Sequence, residues 1–294
     1  MDAGAYVAED GIAGIGGQRT ANSEQRTIQT LKDSKEMIYQ LLYYLGGLLA
    51  LPFSPLLFLQ GKQVRANIPE LPEAGGSKRG TTGQGTRPIR LLTLGESTIA
   101  GVGVKSHEEG FTGHLSKCLH QAIGRPVEWQ VLAKSGYTAR AATLHLAPLL
   151  PSAPLNLIVI GLGGNDTFEL SSPLKWRSDM IHLIKAIRER QPDAPILIIN
   201  LPPVGQFPAF PASLQFALGG LVRLQGMAIR DIPNLFKNTY YMSRPISLKE
   251  WEEKAPPGAG VEAFFSDGVH PSKLTYKLWA EEAGAFITRV DALG

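Results

Sequence analysis

Four short apolar runs alternate with stretches of helical period, and this alternation narrows the fold more than any other feature of the chain. The runs are "IRLLTL" from Ile89, "VEWQVLA" from Val127, "LNLIVIGL" from Leu155 and "APILIINL" from Ala194. Strands that are apolar almost throughout must be buried on both faces. The segments between them supply the cover. Residues 111–123 put Phe111, Leu115, Cys118, Leu119 and Ala122 at helical spacing, and "KWRSDMIHLIKAIRERQ" puts Trp176, Met180, Leu183, Ile184 and Ile187 on one face. "RAATLHLAPLL" reads as helix until Pro151, another helix falls within 212–231, and a last one starts near Ser272. "NTYYMS" is a candidate fifth strand. The prediction is an α/β fold with a parallel sheet covered on both faces. Such sheets carry their sites at the carboxyl ends of the strands.

The first 87 residues have a different texture. Residues 1–36 are polar, with no strong period, and read as a flexible tail. Ile38 to Leu59, "IYQLLYYLGGLLALPFSPLLFL", carries no charged residue. That is long enough to cross a bilayer if helical throughout, although Pro52 and Pro55 argue against one straight helix. Three readings stand open: a kinked span, an anchor lying in the membrane interface, or an apolar arm packed on the following domain. Membrane contact leads among them. Lys and Arg are similarly frequent on both sides, so charge sets no orientation. Residues 61–87 read as a linker, and residues 88–294 as the folded domain.

Composition excludes some functions. The net charge of +3 comes from scattered basic residues, whereas a nucleic-acid binder concentrates them in a stripe. A single cysteine, Cys118, allows no disulfide within the chain and supports no thiolate metal site. It suits a reducing compartment. Apart from membrane contact, the chain is expected in the cytoplasm, with no metal and no organic cofactor. "GLGG" at 161–164 resembles part of a dinucleotide-binding turn, but position 166 is Asp where the third glycine should stand.

The strand ends hold the chemistry. The first run stops at Gly95-Glu96-Ser97, the second at "AKSGYT", the third at "GLGGNDTF", and near the C-terminus stands "FFSDGVHPS". A serine hydroxyl is a poor nucleophile at neutral pH and needs a base. Asp267, three residues before His270, can accept from the imidazole, fix its tautomer and stabilise the imidazolium. Acyl transfer also needs donors for an oxyanion, for which the Ser97 and Gly136 N–H groups and the Asn165 amide are candidates. Each residue also has a plain structural reading. Ser97 and Asn165 could cap helices, Gly136 could serve a turn, and Asp267 to His270 could be a surface turn.

Taken together and in this order, Gly-x-Ser, the later glycine, Gly-x-Asn-Asp and Asp-x-x-His resemble the SGNH (GDSL) hydrolases over roughly residues 88 to 288. The texts "GESTIAGVGV" and "LPPVGQFPAFP" are similar to a lipase/arylesterase-like branch. The resemblance implies a flavodoxin-like three-layer α/β/α sandwich with a five-stranded parallel sheet of order 2-1-3-4-5. It implies Ser97 as nucleophile, His270 as base and Asp267 as its orienting acid. Ser97, Gly136 and Asn165 would form the oxyanion hole. The expected activity is hydrolysis of acyl or aryl esters with an apolar part, through an acyl-enzyme. A thioesterase releasing fatty acids from a carrier and a carbohydrate-ester deacetylase are the alternatives, and a non-catalytic binding module ranks last. The usual Gly-Asp-Ser is Gly95-Glu96-Ser97 here, so Glu96 must reach its partners with one extra methylene.

Overall fold

The computed structural model describes residues 37–293; the tail expected over residues 1–36 lies outside them. A long helix, α1, runs from Met37 to Asn67. Its one irregularity is a 3-10 turn at Leu51–Phe53, which contains Pro52. Pro55 stands in the first turn of the segment that follows, Ser54–Asn67, where a missing N–H costs little. The two prolines therefore mark a local tightening and not an end. By length and composition α1 could cross a membrane, and none of its most apolar stretch is buried.

The sheet has six strands: β1 (Arg79–Thr82), β2 (Ile89–Gly95), β3 (Val127–Ala133), β4 (Leu157–Gly161), β5 (Ile196–Ile198) and β6 (Thr239–Tyr241). Their spatial order is β1-β3-β2-β4-β5-β6. Strands β2 to β6 are parallel and reproduce the expected 2-1-3-4-5 order. The difference is β1, an antiparallel edge strand drawn from the stretch read as a linker. Its short polar "RGTT" has no apolar period to reveal it. It fits because Gly80 leaves room for the Trp129 ring, which a Cβ would meet at 2.3 Å.

The helices are α2 (Ser97–Ala100), α3 (Phe111–Ile123), α4 (Ala139–His145), α5 (Gly164–Phe168), α6 (Pro173–Arg190), α7 (Ala212–Ala228), α8 (Leu248–Glu252) and α9 (Lys273–Arg289). Strand alternation splits the core in two. Ile89, Leu91 and Val159 pack with α3 and α9 on one face, while Leu92, Leu94, Ile158 and Ile160 pack with α6 on the other. The expected stripe of α6 is wholly buried from Trp176 to Ile187. On α3, Phe111, Leu115 and Leu119 are buried, Cys118 is half-buried against Gly284 of α9, and Ala122 is exposed. The buried face is thus narrower than its spacing suggests. Burial pushes the Cys118 thiol up, away from the reactive thiolate.

The central strand closes tightly. A Cβ on Gly95 would lie 2.1 Å from the Gly161 carbonyl oxygen and 2.6 Å from Ile99 Cγ1. Because the first of these is backbone of a paired strand, it cannot step aside. Gly95→Ala is expected to lower stability by roughly 1–3 kcal/mol or more, as overpacked core sites do; the urea midpoint of the purified variant measures it.

Candidate active site

Ser97 opens a one-turn helix at the carboxyl end of the central strand. Glu96 is still extended, and its carbonyl accepts from Ile99 N (2.9 Å) and Ala100 N (2.8 Å). Gly101, at φ +72°, ends the turn in the left-handed region that suits glycine. The sharp strand-to-helix junction leaves Ser97 half-buried, and its hydroxyl makes no hydrogen bond among the described residues.

Glu96 is buried and points to the neighbouring strand's turn. Oε1 accepts from Gly164 N at 2.7 Å, and Oε2 accepts from Asn165 N at 2.9 Å and from the Asn165 side-chain amide. The extra methylene thus reaches across from β2 to the start of α5. Burial pushes the Glu96 carboxyl up to about 7, against the pull of the Asn165 and Gly164 N–H groups.

The Asn165 amide also donates to the Tyr137 carbonyl at 3.2 Å. Tyr137 closes a turn with Lys134 (3.3 Å) in which Gly136 holds the third position at φ +84°, the place that demands glycine in a type II turn. A Cβ at Gly136 would meet nothing within 4 Å, so its Cα side is open. Two residues besides Asn165, from other parts of the chain, hold this turn and the residue that opens α4 after it. Glu73 Oε1 accepts from Ser135 N (2.7 Å) and faces Lys134 Nζ (3.2 Å). Burial opposes the Glu73 charge, but these donors outweigh it and keep the carboxyl below the usual range. Asp166 Oδ2 accepts from Ala139 N at 3.1 Å, while its buried Oδ1 has no hydrogen-bond partner among the described residues. Burial pushes Asp166 up to about 7. Sequence reading missed Glu73, which lies in the supposed linker, and took Asp166 as the last residue of the Gly-x-Asn-Asp block without giving it a role at this turn.

Asp267 and His270 are brought together. Asp267 Oδ2 lies 2.7 Å from His270 Nδ1, and its side chain is fully shielded from solvent. Oδ1 accepts from Val269 N (2.9 Å) and His270 N (2.7 Å). Burial would raise this carboxyl, but the His270 ring and backbone hydrogen bonds prevail and hold it below the usual range. Gly268, at φ +86°, lets the loop turn against Ala209. Tyr276 of α9 donates to the Val102 carbonyl at 2.7 Å, and Val102 N donates to Ser97 O at 3.1 Å. The histidine loop and the serine turn are thereby tied through a single buried phenol. His270 Nε2 and Ser97 Oγ are not hydrogen-bonded to each other. Among the described residues, no group of three His, Cys, Asp or Glu side chains could hold a metal.

Glu96 and Asp166 share a consequence for stability. A carboxyl whose folded pKa lies above its unfolded value stabilises the fold fully below the unfolded pKa, and that contribution is lost as pH rises through the folded one. For both groups the window runs from about 4 to about 7. Urea stability is expected to fall across it. Asp166→Asn, which keeps an acceptor for Ala139 N, should flatten the fall. A stability that rises from pH 5 to pH 8 would mean that both carboxyls stay ionised in the fold.

The family described as GDSL-like Lipase/Acylhydrolase matches residues 93–278, more than half of the chain. No curated protein matches it. Solved structures do. TesA is 21% identical with a TM-score of 0.50, covering 68% of this chain and 99% of its own. A lipolytic G-D-S-L family protein from Veillonella parvula is 17% identical at 0.52, over 68% and 99%. A family 3 carbohydrate esterase from Clostridium thermocellum is 17% identical at 0.53, over 71% and 100%. At these identities the likeness is one of fold. With the family's model covering the serine turn, the Asn165 turn and the Asp267–His270 loop, the chain belongs to the GDSL-like lipase/acylhydrolase family.

Proposed function

We propose that the chain hydrolyses carboxylic esters through a serine acyl-enzyme. The observation that carries this reading is the 2.7 Å contact between His270 Nδ1 and a fully shielded Asp267 held by two backbone N–H groups. An ionised acid there fixes the proton on Nδ1 and leaves Nε2 as the basic nitrogen. In the reaction, His270 Nε2 takes the proton of Ser97 Oγ as that oxygen attacks the acyl carbon. The Ser97 and Gly136 N–H groups and the Asn165 amide receive the oxyanion. His270 returns the proton to the departing alcohol, then takes one from the water that frees the acid. For Asn165 to donate, its amide exchanges the 3.2 Å bond to Tyr137 O for the oxyanion, while Glu96 keeps the other proton in place. Two of the other histidines are poor substitutes for His270: burial pushes His107 down, and His114 down to about 4.

Ser97→Ala is expected to abolish both ester hydrolysis and labelling by a fluorophosphonate probe, with the unfolding midpoint unchanged; full labelling of the variant would remove Ser97 from the role. Asp267→Asn should cost about 10³- to 10⁴-fold in rate by spoiling the tautomer. Asn165→Ala should lower kcat by ~10²- to 10³-fold with a smaller change in KM. A loss confined to KM would make Asn165 a substrate-binding residue. Glu96→Gln replaces one acceptor oxygen with a donor facing donors, so kcat should drop by about tenfold or more for the loss of one charge-assisted bond. Initial rates on a short p-nitrophenyl ester measure all four variants.

A further inference from the structure

The helix α1 is built inside out relative to a surface helix in water, which turns polar residues outward. Tyr43, Ala50, Leu57 and Val64, spaced seven apart, are half-buried along one side. Polar atoms of Gln40, Tyr43 and Gln60 turn to that side as well, while Tyr44 is 63% exposed. Tyr43 OH donates to the Leu170 carbonyl at 2.8 Å, Gln60 Oε1 accepts from Ser213 Oγ at 2.6 Å, and Gln40 Oε1 is shut off from solvent. Leu45, Leu48, Leu49, Leu56, Phe58 and Leu59 face outward, with Leu49 73% and Phe58 72% exposed.

Several observations point to lipid as the cover of that outer face. It carries no charge from Ile38 to Leu59, and exposed Lys62 and Arg65 begin where it ends, as residues that meet head groups do. The folded domain continues the apolar surface beside both tethers: Leu170 is 56% exposed, and Phe216, three residues from Ser213, is 87% exposed. The outer residues from Leu41 to Leu49 span an arc of about half the helix circumference, wider than the seam that a single facing helix covers.

The tethers also decide orientation. Tyr43 and Gln60 stand ~25 Å apart along the axis, and both hold the same domain. A helix crossing the ~30 Å hydrocarbon core would have to pull Tyr43 from Leu170 or draw the domain into lipid. We infer that α1 is an in-plane membrane clamp, which lies between the domain and one leaflet and leaves the chain on both sides of the helix on the same side of the bilayer. This goes beyond the esterase reading and does not depend on it.

The test adds the full chain to preformed, sealed phosphatidylcholine–phosphatidylglycerol vesicles. The protein should float with the vesicles and remain bound in high salt. In a Cys118→Ala background, Ser34→Cys before the helix and Lys185→Cys on the domain should both react completely with a membrane-impermeant maleimide. Leu45→Glu/Leu49→Glu should reduce the bound fraction tenfold or more with an unchanged unfolding midpoint. Ser34→Cys that reacts only after detergent is added, while Lys185→Cys reacts before, would overturn the proposal in favour of a span. A chain that ignores vesicles and sediments as a dimer would overturn it in favour of a second copy as the cover.

Discussion

The Glu96 carboxylate is the joint on which the site depends. It stands between the last residue of the central strand and the serine, and it accepts three hydrogen bonds from the first two residues of α5. Sheet pairing alone ends at Gly95 and Gly161. Beyond those glycines the two strand ends are held together by Glu96 and by the bond from Glu96 N to Gly161 O at 3.0 Å. A buried acid is costly to ionise, and the cluster of donors offsets part of that cost. Gly164 is needed at the same joint, since a Cβ there would crowd Glu96 Oε1 at 3.2 Å.

The turn at Gly136 extends the same logic. Glu73 holds Ser135 N, Asn165 holds Tyr137 O, and Asp166 holds Ala139 N. These three come from different parts of the chain, and they grip the turn at alternate residues. Gly136 N is left between them without a backbone partner among the described residues. A free N–H whose neighbours are all fastened can meet a developing charge with little rearrangement, which is the condition for electrostatic stabilisation of a transition state. Asn165 and Asp166 are adjacent, so a single turn at the end of β4 serves both Glu96 on one side and the Gly136 turn on the other.

The sheet and its order were legible because buried parallel strands are apolar on both faces and helices carry their own period. The Asp267–His270 pair was legible because three residues of turn are enough to fold an acid back on a ring. What escaped was structure without a period. Edge strand β1 is polar because only one side of it meets another strand. Glu73 acts at a distance of 62 residues along the chain, and no local pattern marks it. The reach of Glu96 depends on how closely β2 and β4 approach at their ends. That closeness is a property of the Gly95–Gly161 pair, visible in sequence only as two glycines.

The proposed nucleophile and the proposed base are held by different means. Ser97 follows directly on the central strand, which is paired on both sides. The loop of Asp267 and His270 has only an isolated bridge, Phe265 to Pro271, and is packed instead on a peripheral cluster of Val204, Phe207, Phe210 and Leu214. Phe265 and Val269, on either side of Asp267, touch that cluster, and so do Leu57 and Val64 of α1 and Ile68 just after it. The rings of Phe207 and Phe265 meet edge-on at 5.5 Å, and Phe210 passes the contact on to Phe168 at the end of α5. One apolar cluster therefore joins α1 to the histidine loop and to the helix that begins with Gly164 and Asn165. The sheet sets where Ser97 stands, whereas the placement of His270 depends on side-chain packing in which α1 takes part.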